Sequence, residues 1–301
     1  MRILITGAGG QVGYELQRSL AVLGEVVAAD RARCDLADPD SIRAAMRAVQ
    51  PAIVVNAAAY TAVDKAEQEP QLAARINGDG PGVLAGEAQA LGALLVHYST
   101  DYVFDGTQSA PYVETDPTDP GSVYGRTKLA GEQAVRGGAD RHLILRTSWV
   151  YGAYGANFLK TMLRLMRERE ALSVVADQVG APTGSALIAD VTAHLLAQYV
   201  ERAGEGFAYG TYHLAAAGRT SWADYAGLIG RLARDAGIAL KVQPEAIKPI
   251  STAEYPLPAR RPAYSCLDTS KLRETFGLTL PPWERGVAQV VRLLASVMPK
   301  P

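Results

Sequence analysis

A glycine-rich loop directly after the first apolar run constrains this chain more than any other feature. The opening "MRILITGAGGQVGYEL" places Gly7, Gly10 and Gly13 between a strand candidate and a helix candidate. Glycine lets the backbone turn tightly and approach a pyrophosphate, and the amino end of the next helix offers free N–H groups and a partial positive charge. An ordinary glycine-rich turn is the alternative, but the position of the loop after an apolar strand, with an acid at the end of the second predicted strand, favours a dinucleotide-binding site that includes Gln11 and Val12 at the start of that helix.

Apolar runs alternate with amphipathic segments through the first half of the chain. Runs such as "IVVNAA" and "LLVHYS" are apolar on both faces, as in a parallel sheet that helices cover on both sides. Strands are predicted at Arg2–Thr6, Glu25–Ala29, Ile53–Ala57, Leu94–Ser99 and His142–Thr147, and helices at Gln11–Leu23, Pro39–Val49, Pro70–Leu91 and Ser122–Arg136. This alternation predicts an α/β fold with a Rossmann-type doubly wound parallel sheet.

The pattern changes after about residue 150, where the connections become longer. Helices are predicted at Asn157–Arg169, Ser185–Ala203, Ser221–Ala236, Thr269–Phe276 and Pro282–Val297. Prolines at positions 244, 249, 256, 258 and 262 predict a segment without regular structure, which is a candidate for a loop that covers a substrate. We expect a dinucleotide-binding domain at residues 1–147, completed by part of 185–215. Residues 148–184 and 216–301 are expected to form a smaller C-terminal substrate-binding α/β region.

Composition excludes several classes of partner and location. A net charge of −1 over 301 residues gives no basic field for nucleic acid or anionic lipid. Two distant cysteines, Cys34 and Cys266, are too few for a disulfide framework. No run approaches the roughly 18 apolar residues of a membrane span, and the opening run already reads as a strand. We predict a cytoplasmic protein with no membrane or nucleic-acid partner.

An acidic residue ends the second predicted strand. Asp30 lies 17 residues after Gly13, where a carboxylate can accept hydrogen bonds from the adenosine ribose of a dinucleotide. The carboxylate favours NADH because it repels a 2′-phosphate, yet Arg31 and Arg33 follow and could neutralise that phosphate. We therefore expect both NADPH and NADH to be usable.

The segment "GSVYGRTKLAGE" holds Tyr124 and Lys128 four residues apart on a predicted helix. Residues at this spacing share a helix face, so the lysine ammonium is expected to lower the pKa of the phenol and make it usable in proton transfer. A solvated helix face is the ordinary alternative. Upstream, "HYSTDYVFDG" places Thr100 at the end of the fourth strand, where ligands bind in such sheets. The order of these features predicts Thr100, Tyr124 and Lys128 as the catalytic residues.

Motifs along nearly the whole chain carry a family resemblance. They include "GAGGQVG", "NAAAYTAVDKAE", "STDYVFDG", "YGRTKLAGE", "LRTSWVYG", "DQVGAPT" and "RRPAYSCLDTSKL". With them, the chain resembles the extended short-chain dehydrogenase/reductases that act on nucleotide sugars, and most of all the branch that reduces the C4 keto group of dTDP-4-dehydro-L-rhamnose. The resemblance implies hydride transfer from NADPH or NADH, a proton from Tyr124, and a Lys128 that also reaches the nicotinamide ribose.

The same resemblance implies further contacts. For the cofactor these are Asp35 and Leu36 beside the adenine, Ala57, Ala59, Tyr60 and Thr61 on the nicotinamide side, and Tyr98, together with Tyr124 and Lys128. For the substrate they are Thr100, Asp101, Trp149, Asn157, Arg260 and Arg261. Close packing is the alternative for the alanines, a core position for Trp149, and a solvated loop for the arginines.

Three other functions remain open or are disfavoured. A nucleotide-sugar dehydratase is disfavoured because Tyr102 stands where those enzymes carry an acid next to the strand-four Thr-Asp. A reductase or epimerase acting on another nucleotide 4-keto-sugar stays open. A non-catalytic regulatory subunit like that of methionine adenosyltransferase would be marked by a degenerate catalytic set, and the set is intact here.

The family resemblance implies that a homodimer can form around a magnesium ion held by glutamates, as in some members. Glu15 follows the glycine loop, but the sequence assigns it no partner, and the helix dipole explains an acid at this position equally well. We predict no catalytic metal and restrict magnesium to a structural role. A homodimer and a nucleotide-sugar substrate are the expected partners.

Overall fold

The structure is a computed structural model that describes residues 1–297. The strands are β1 (Arg2–Thr6), β2 (Glu25–Ala29), β3 (Ile53–Asn56), β4 (Leu94–Thr100), β5 (His142–Thr147), β6 (Val150–Tyr151), β7 (Ser173–Val175), β8 (Val179–Gly180), β9 (Thr183–Gly184), β10 (Gly210–His213), β11 (Thr220–Ser221) and β12 (Lys248–Ile250). The helices are α1 (Gln11–Leu20), α2 (Pro39–Val49), α3 (Val63–Ala66), α4 (Pro70–Ala74), α5 (Gly80–Leu91), α6 (Val123–Gly138), α7 (Phe158–Glu168), α8 (Ser185–Glu201), α9 (Trp222–Asp235), α10 (Ser270–Phe276) and α11 (Trp283–Val297). Over this part of the chain, no helix combines the length and apolar character needed to cross a membrane.

A six-stranded parallel sheet forms the centre of the fold, in the order β10-β5-β4-β3-β1-β2. Each face carries its own apolar cluster, one packed under α1 and α8 and the other under α2 and α5. This explains why the strand sequences are apolar on both faces. The predicted Rossmann-type fold is confirmed. Because all strands run parallel, the loops after β1 to β5 meet at one edge of the sheet.

The sixth strand, β10, was not predicted. It pairs in parallel with β5, from Gly210 opposite Leu143 to His213 opposite Arg146. Its sequence, "GTYH", is too short and too polar to stand out from a loop. In chain order, β6 to β9 and α7 precede β10, so the chain leaves the central sheet after β5 and returns to it only with β10.

The predicted helix Pro70–Leu91 is divided into three parts. A π-helix at Arg75–Asp79 separates α4 from α5. Pro81 has no N–H to donate to the carbonyl of Asn77 four residues earlier, which explains why the regular hydrogen-bond ladder does not continue there. The wider turn includes Asn77, a residue that becomes important in the site.

The C-terminal region contains α7, α9 and α11 packed on one another, with three two-stranded sheets, β7 with β12, β8 with β11 and β6 with β9. The prediction that its prolines exclude regular structure was wrong for β12, which contains Pro249. Lys248 donates its N–H to the Leu172 carbonyl at 2.9 Å. Ala176 in turn donates to the Ile250 carbonyl at 2.9 Å. Proline is tolerated between these bonds because alternate N–H groups of an edge strand face away from its partner.

Candidate active site

Thr100 and Tyr124 meet where the end of β4 lies against the first turn of α6. The Ser122 hydroxyl caps α6 by accepting the Gly125 N–H at 3.1 Å, so the helix begins at Val123, directly after the cap. Thr100 is buried, and its hydroxyl lies near enough to the Tyr124 phenol to affect the pKa of that phenol. The Thr100 hydroxyl also donates to Asp101 at 2.9 Å. The three predicted catalytic residues therefore lie on two adjoining elements, with Lys128 one turn further along α6.

Tyr124 is held as a protonated phenol. Burial raises its pKa to about 12, the neighbouring Thr100 hydroxyl opposes that rise, and the nearby Asp101 adds to it. The expectation that Lys128 lowers this pKa was wrong. The Lys128 Nζ atom donates instead to the Tyr98 carbonyl at 2.6 Å, so its charge is directed at the backbone of β4. A phenol that keeps its proton near neutral pH has the state that a proton donor needs.

Lys128 is itself perturbed. It is 2% exposed, and burial lowers its pKa to about 8 against the opposing charge of Glu132. Besides the Tyr98 carbonyl, its Nζ atom lies 3.3 Å from His97 Nε2. The ammonium form is therefore lost as the pH rises through about 8, and the proton of Lys128 is exchangeable near neutral pH.

The glycine loop has the shape of a phosphate cradle. Gly7 has a φ of +68°, and a Cβ atom added there would come within 2.6 Å of the Ala58 nitrogen. A Cβ atom on Gly13 would overlap the Gly7 carbonyl. Gly10 occupies the N-cap position of α1 and has no side chain that could accept a hydrogen bond. The first N–H groups of the helix therefore stay available to a ligand. These features fit the pyrophosphate of a dinucleotide, and the residues of the loop that would hold it include Gln11 and Val12.

The segment after β2 contains two acidic residues, Asp30 and Asp35, which have different hydrogen-bond partners. Asp30 is exposed, and its Oδ1 atom accepts the Arg33 N–H at 3.2 Å. Asp35 accepts from the Arg31 Nε atom at 3.1 Å, and a backbone hydrogen bond from residue 37 contributes most to the lowering of its pKa. Leu36 is 4% exposed and packs in the core beneath the sheet. Asp30 thus faces solvent at the sheet edge, whereas Leu36 contributes packing, and their cofactor contacts stay predictions.

Asn77 fixes the loop after β3, which contains Ala57, Ala59, Tyr60 and Thr61. Its Oδ1 atom accepts the Tyr60 N–H at 2.8 Å, and its Nδ2 atom donates to the Tyr60 carbonyl at 3.0 Å. The same Nδ2 atom lies 3.2 Å from the Thr127 hydroxyl on α6. The Tyr60 hydroxyl donates to Glu69 at 2.7 Å, and burial together with this contact raises its pKa to about 12. Asn77 therefore joins the cofactor-side loop to the catalytic helix, a role that no sequence motif indicated.

A cavity of about 970 Å³ opens on the C-terminal side of the sheet edge. Its walls come from α7, β7, residues 105–108 and the proline-rich segment 250–264. Thr100, Tyr124 and Lys128 are not among its lining residues. Arg260 links the two places, because it lines the cavity and its side chain passes against Gly121, three residues before Tyr124. The volume is at the upper end of small-molecule sites and suits an extended ligand.

Trp149 has a left-handed backbone and a stacked side chain. Its φ is +46°, a conformation that non-glycine residues rarely adopt. Its indole stacks on Trp222, with ring centroids 3.5 Å apart and planes 7° apart. Trp222 lines the cavity and donates its Nε1–H to Gln178 at 3.2 Å. Neither Trp222 nor Gln178 was predicted as a site residue, and a sugar contact of Trp149 stays a prediction.

Two other predicted substrate residues are engaged by the protein itself. Asn157 donates to Gln11 at 2.9 Å, while its Oδ1 atom caps α7. Arg261 forms a bidentate ion pair with Asp64 on α3, at 2.7 and 2.9 Å. Arg260 is exposed. Arg261 therefore anchors the proline-rich segment to α3, and Arg260 is the arginine of this pair whose side chain stays open to a ligand.

The family model described as "RmlD substrate binding domain" matches residues 1–296.

The chain belongs to this family.

Similar proteins of the RmlD family extend along the whole chain. A dTDP-4-dehydrorhamnose reductase of Burkholderia thailandensis is 52% identical over 297 residues, which cover 98% of this chain and 100% of the relative. A dTDP-4-dehydrorhamnose reductase structure from Clostridium acetobutylicum superimposes with a TM-score of 0.88 at 39% identity, covering 98% and 99% of the two chains. One from Bacillus anthracis, solved in complex with NADP, gives 0.84 at 39% identity, covering 96% and 98%. The predicted resemblance is confirmed.

The RmlD-family chain shows no metal centre in the part that the structure describes. Between residues 1 and 297, no three histidine, cysteine or acidic side chains come together as a set that could hold a metal ion. Glu15 lies 3.8 Å from Arg18, which also pairs with Asp190 at 3.0 Å. The acid after the glycine loop is thus part of a surface ion-pair group, and a structural magnesium at this place stays a prediction.

Asp30→Asn is expected to shift cofactor preference towards NADPH. The asparagine oxygen can still accept the N–H groups of residues 32 and 33, so the loop is retained while the negative charge is removed. Loss of repulsion against a 2′-phosphate is worth about 1 kcal/mol at this exposed site, or about five- to tenfold in affinity. Fluorescence titration with NADPH and NADH measures both constants. Unchanged affinities for both cofactors would remove Asp30 from the site, and Asp38→Asn at the start of α2 is the matched control.

Proposed function

We propose that this protein reduces the C4 keto group of dTDP-4-dehydro-L-rhamnose to give dTDP-L-rhamnose, with NADPH or NADH as cofactor. The observation that carries the proposal is the pairing of the buried Thr100 with the Tyr124 phenol in a fold that also has an open glycine cradle, with Lys128 one turn further along α6. The relatives named as dTDP-4-dehydrorhamnose reductases support the choice of substrate.

Each residue of the site has its own role in the reduction. The cofactor, when bound, supplies the hydride that reduces the carbonyl carbon. Tyr124 gives its phenolic proton to the developing alkoxide, and Thr100 shares hydrogen bonds with the phenol and the substrate oxygen. Lys128, whose pKa is lowered to about 8, returns a proton to the Tyr124 oxygen and then takes one from solvent. One proton and one hydride are consumed in each turnover.

The substrate fills the cavity next to this site in our proposal. The nucleotide part lies between α7 and the proline-rich segment, and Arg260 contacts its diphosphate. Asp101 and Trp149 then face the sugar at the end nearer Tyr124. Residues 1–147 with α8 and β10 form the cofactor-binding domain, and the remaining residues form the substrate-binding region. The protein acts in the cytoplasm as a homodimer.

The proposal is tested by following NADPH oxidation with dTDP-4-dehydro-L-rhamnose generated in the cuvette. Oxidation with dTDP-L-rhamnose as the product, identified by mass and by NMR of the sugar, is the expected result. No oxidation by a protein that binds NADPH would overturn the proposal. Assays with other nucleotide 4-keto-sugars would then separate a different reductase from a non-catalytic protein.

Arg261→Ala is expected to raise the KM for the nucleotide sugar about tenfold and to change kcat little. The variant releases the proline-rich segment from Asp64, a loss of about 1.4 kcal/mol from substrate binding. Asp64→Ala should have the same effect, and the double variant should be no worse than either single one, because both remove one ion pair. Steady-state kinetics measure all three. Additive losses would show instead that Arg261 acts on the substrate independently of Asp64.

A further inference from the structure

A buried series of hydrogen bonds leads from β1 through β3 and β4 to Lys128. The Thr6 hydroxyl donates to Asn56 Oδ1 at 2.6 Å, and the Ala58 N–H donates to the same oxygen at 3.2 Å. Asn56 Nδ2 lies 2.9 Å from His97 Nδ1, and His97 Nε2 lies 3.3 Å from Lys128 Nζ. Asn56 and His97 are 1% and 0% exposed. These groups therefore depend on one another for their hydrogen bonds.

The Ala58 amide fixes the orientation of Asn56, and through it the tautomer of His97. A backbone N–H only donates, so the Asn56 atom that faces it must be the carbonyl oxygen. The Asn56 NH₂ group then faces His97 Nδ1 and donates to it, which leaves no room for a proton on Nδ1. Burial and the charge of Lys128 hold the pKa of His97 well below its usual range, so the ring is neutral. Its single proton is therefore on Nε2.

We propose that His97 is a positioning residue for Lys128, because its Nε2–H, oriented by Asn56, faces the Nζ atom and favours the neutral amine over the ammonium. A neutral amine has a lone pair that accepts this N–H, whereas an ammonium presents only donors to it. The catalytic meaning of this inference rests on the proposed reductase function. The orientation of the ring is measurable without it.

Of the groups around Lys128, His97 is the one whose contact with Nζ can change the balance between amine and ammonium. Glu132, one turn further along α6, favours the ammonium, but its two oxygens already accept from Arg146 on β5 at 2.8 and 2.7 Å. Tyr124, one turn earlier, stays a neutral phenol. On β4, His97 and the Tyr98 carbonyl contact Nζ from the sheet side. His97 thus acts with burial, and against Glu132, on the charge of Lys128.

The consequence concerns the return of the proton after each reduction. Tyr124 becomes a phenolate when it protonates the alkoxide, and the Lys128 ammonium gives a proton back to that oxygen. Because His97 favours the amine, it makes this release easier. His97 also lowers the pH above which the Lys128 amine no longer takes up a proton from solvent. Turnover therefore falls as the pH rises through the pKa of Lys128, and the position of that fall depends on His97.

The first test is ¹⁵N NMR of the full-length, cofactor-free protein labelled at histidine. We expect His97 to appear as the neutral tautomer protonated on Nε2 between about pH 6 and 9. An Nδ1–H tautomer or an imidazolium at His97 would overturn the proposal, whatever the catalytic activity. His97→Phe identifies the signal. His97→Phe is needed only to assign the NMR signal, and the measurement itself is made on the unaltered protein. Its result does not depend on which substrate the protein uses.

The second test replaces the donor by an acceptor. His97→Gln can turn an amide oxygen towards Lys128, so the pKa of Lys128, followed by NMR of labelled lysine without cofactor, should rise by about one pH unit or more. The alkaline fall of kcat should move in the same direction. Val96→Ala, a buried change on the same strand, should cost stability and leave both values unchanged. A pKa of Lys128 that stays the same or falls in His97→Gln would overturn the proposal.

Discussion

Tyr124→Phe is expected to lower kcat about a thousandfold and to leave the Kd for NADPH within about twofold. The variant removes the proton donor, and general acid catalysis of this kind contributes about 10² to 10⁴ in rate. The ring itself is retained, and it packs edge-on against Tyr102 with centroids 5.5 Å apart. The fold of α6 should therefore be unchanged. Single-turnover kinetics and a cofactor titration on the same preparation separate chemistry from binding.

Tyr102→Phe is the matched control for this variant. Tyr102 is the neighbouring phenol, and burial raises its pKa well above the usual range, as it does for Tyr124, but Tyr102 is not one of the predicted catalytic residues. Its loss should change kcat by less than about threefold, within the range of an ordinary buried hydroxyl. Equal losses in the two variants, or near-normal turnover in Tyr124→Phe, would show that Tyr124 is not the donor.

Gly13→Ala is expected to abolish measurable cofactor binding and to destabilise the fold by about 2–3 kcal/mol. In an ordinary helix interior the change would stabilise by about 1 kcal/mol. Here the new Cβ atom would overlap the carbonyl oxygen of Gly7, which is backbone and cannot rotate away. The helix must then move from the loop, and overpacking of this kind costs about 1–3 kcal/mol or more. Thermal unfolding and NADPH titration measure the two effects.

Gly9→Ala provides the comparison within the same loop. A Cβ atom at Gly9 would meet nothing within 4 Å, and its backbone needs no left-handed conformation. This variant should fold normally, and its Kd for NADPH should stay within about fivefold of the parent because no backbone atom has to move. Retention of cofactor binding by Gly13→Ala would mean that the pyrophosphate does not rest on this turn.

Much of the central sheet was predictable because its strands are long, apolar and bounded by clear turns. β1, β2 and β5 begin and end where the sequence predicted, as does α2, whose Asp38 cap precedes a proline at the first helical position. The division of the helix at Arg75–Asp79 depends on how Pro81 is accommodated, and hydrophobic periodicity does not show this. Strand β10 was missed since four residues give too little pattern to separate a strand from a loop.

The nature of the catalytic set was predictable, but its electrostatics were not. Spacing placed Lys128 on the same helix face as Tyr124, and the structure places both near the end of β4. The direction of the Lys128 charge depends on which acceptor lies nearer, and that acceptor is a backbone carbonyl of β4. Asn77 and His97 act through contacts that cross 17 and 31 residues of sequence. Tertiary contacts of this kind leave no local motif.

The late return of the chain to the central sheet has a consequence for synthesis. Until residue 201 has left the ribosome, the apolar face of α1 lacks its cover from α8, and until residue 213 has left it, the edge of β5 that faces away from β4 is unpaired. Open edges and uncovered faces are the surfaces through which incomplete chains aggregate. Pairing β10 with β5 also closes a loop of more than 60 residues, and non-local pairing of this kind slows folding. The nascent chain therefore passes through a stage in which chaperones have a defined surface to protect.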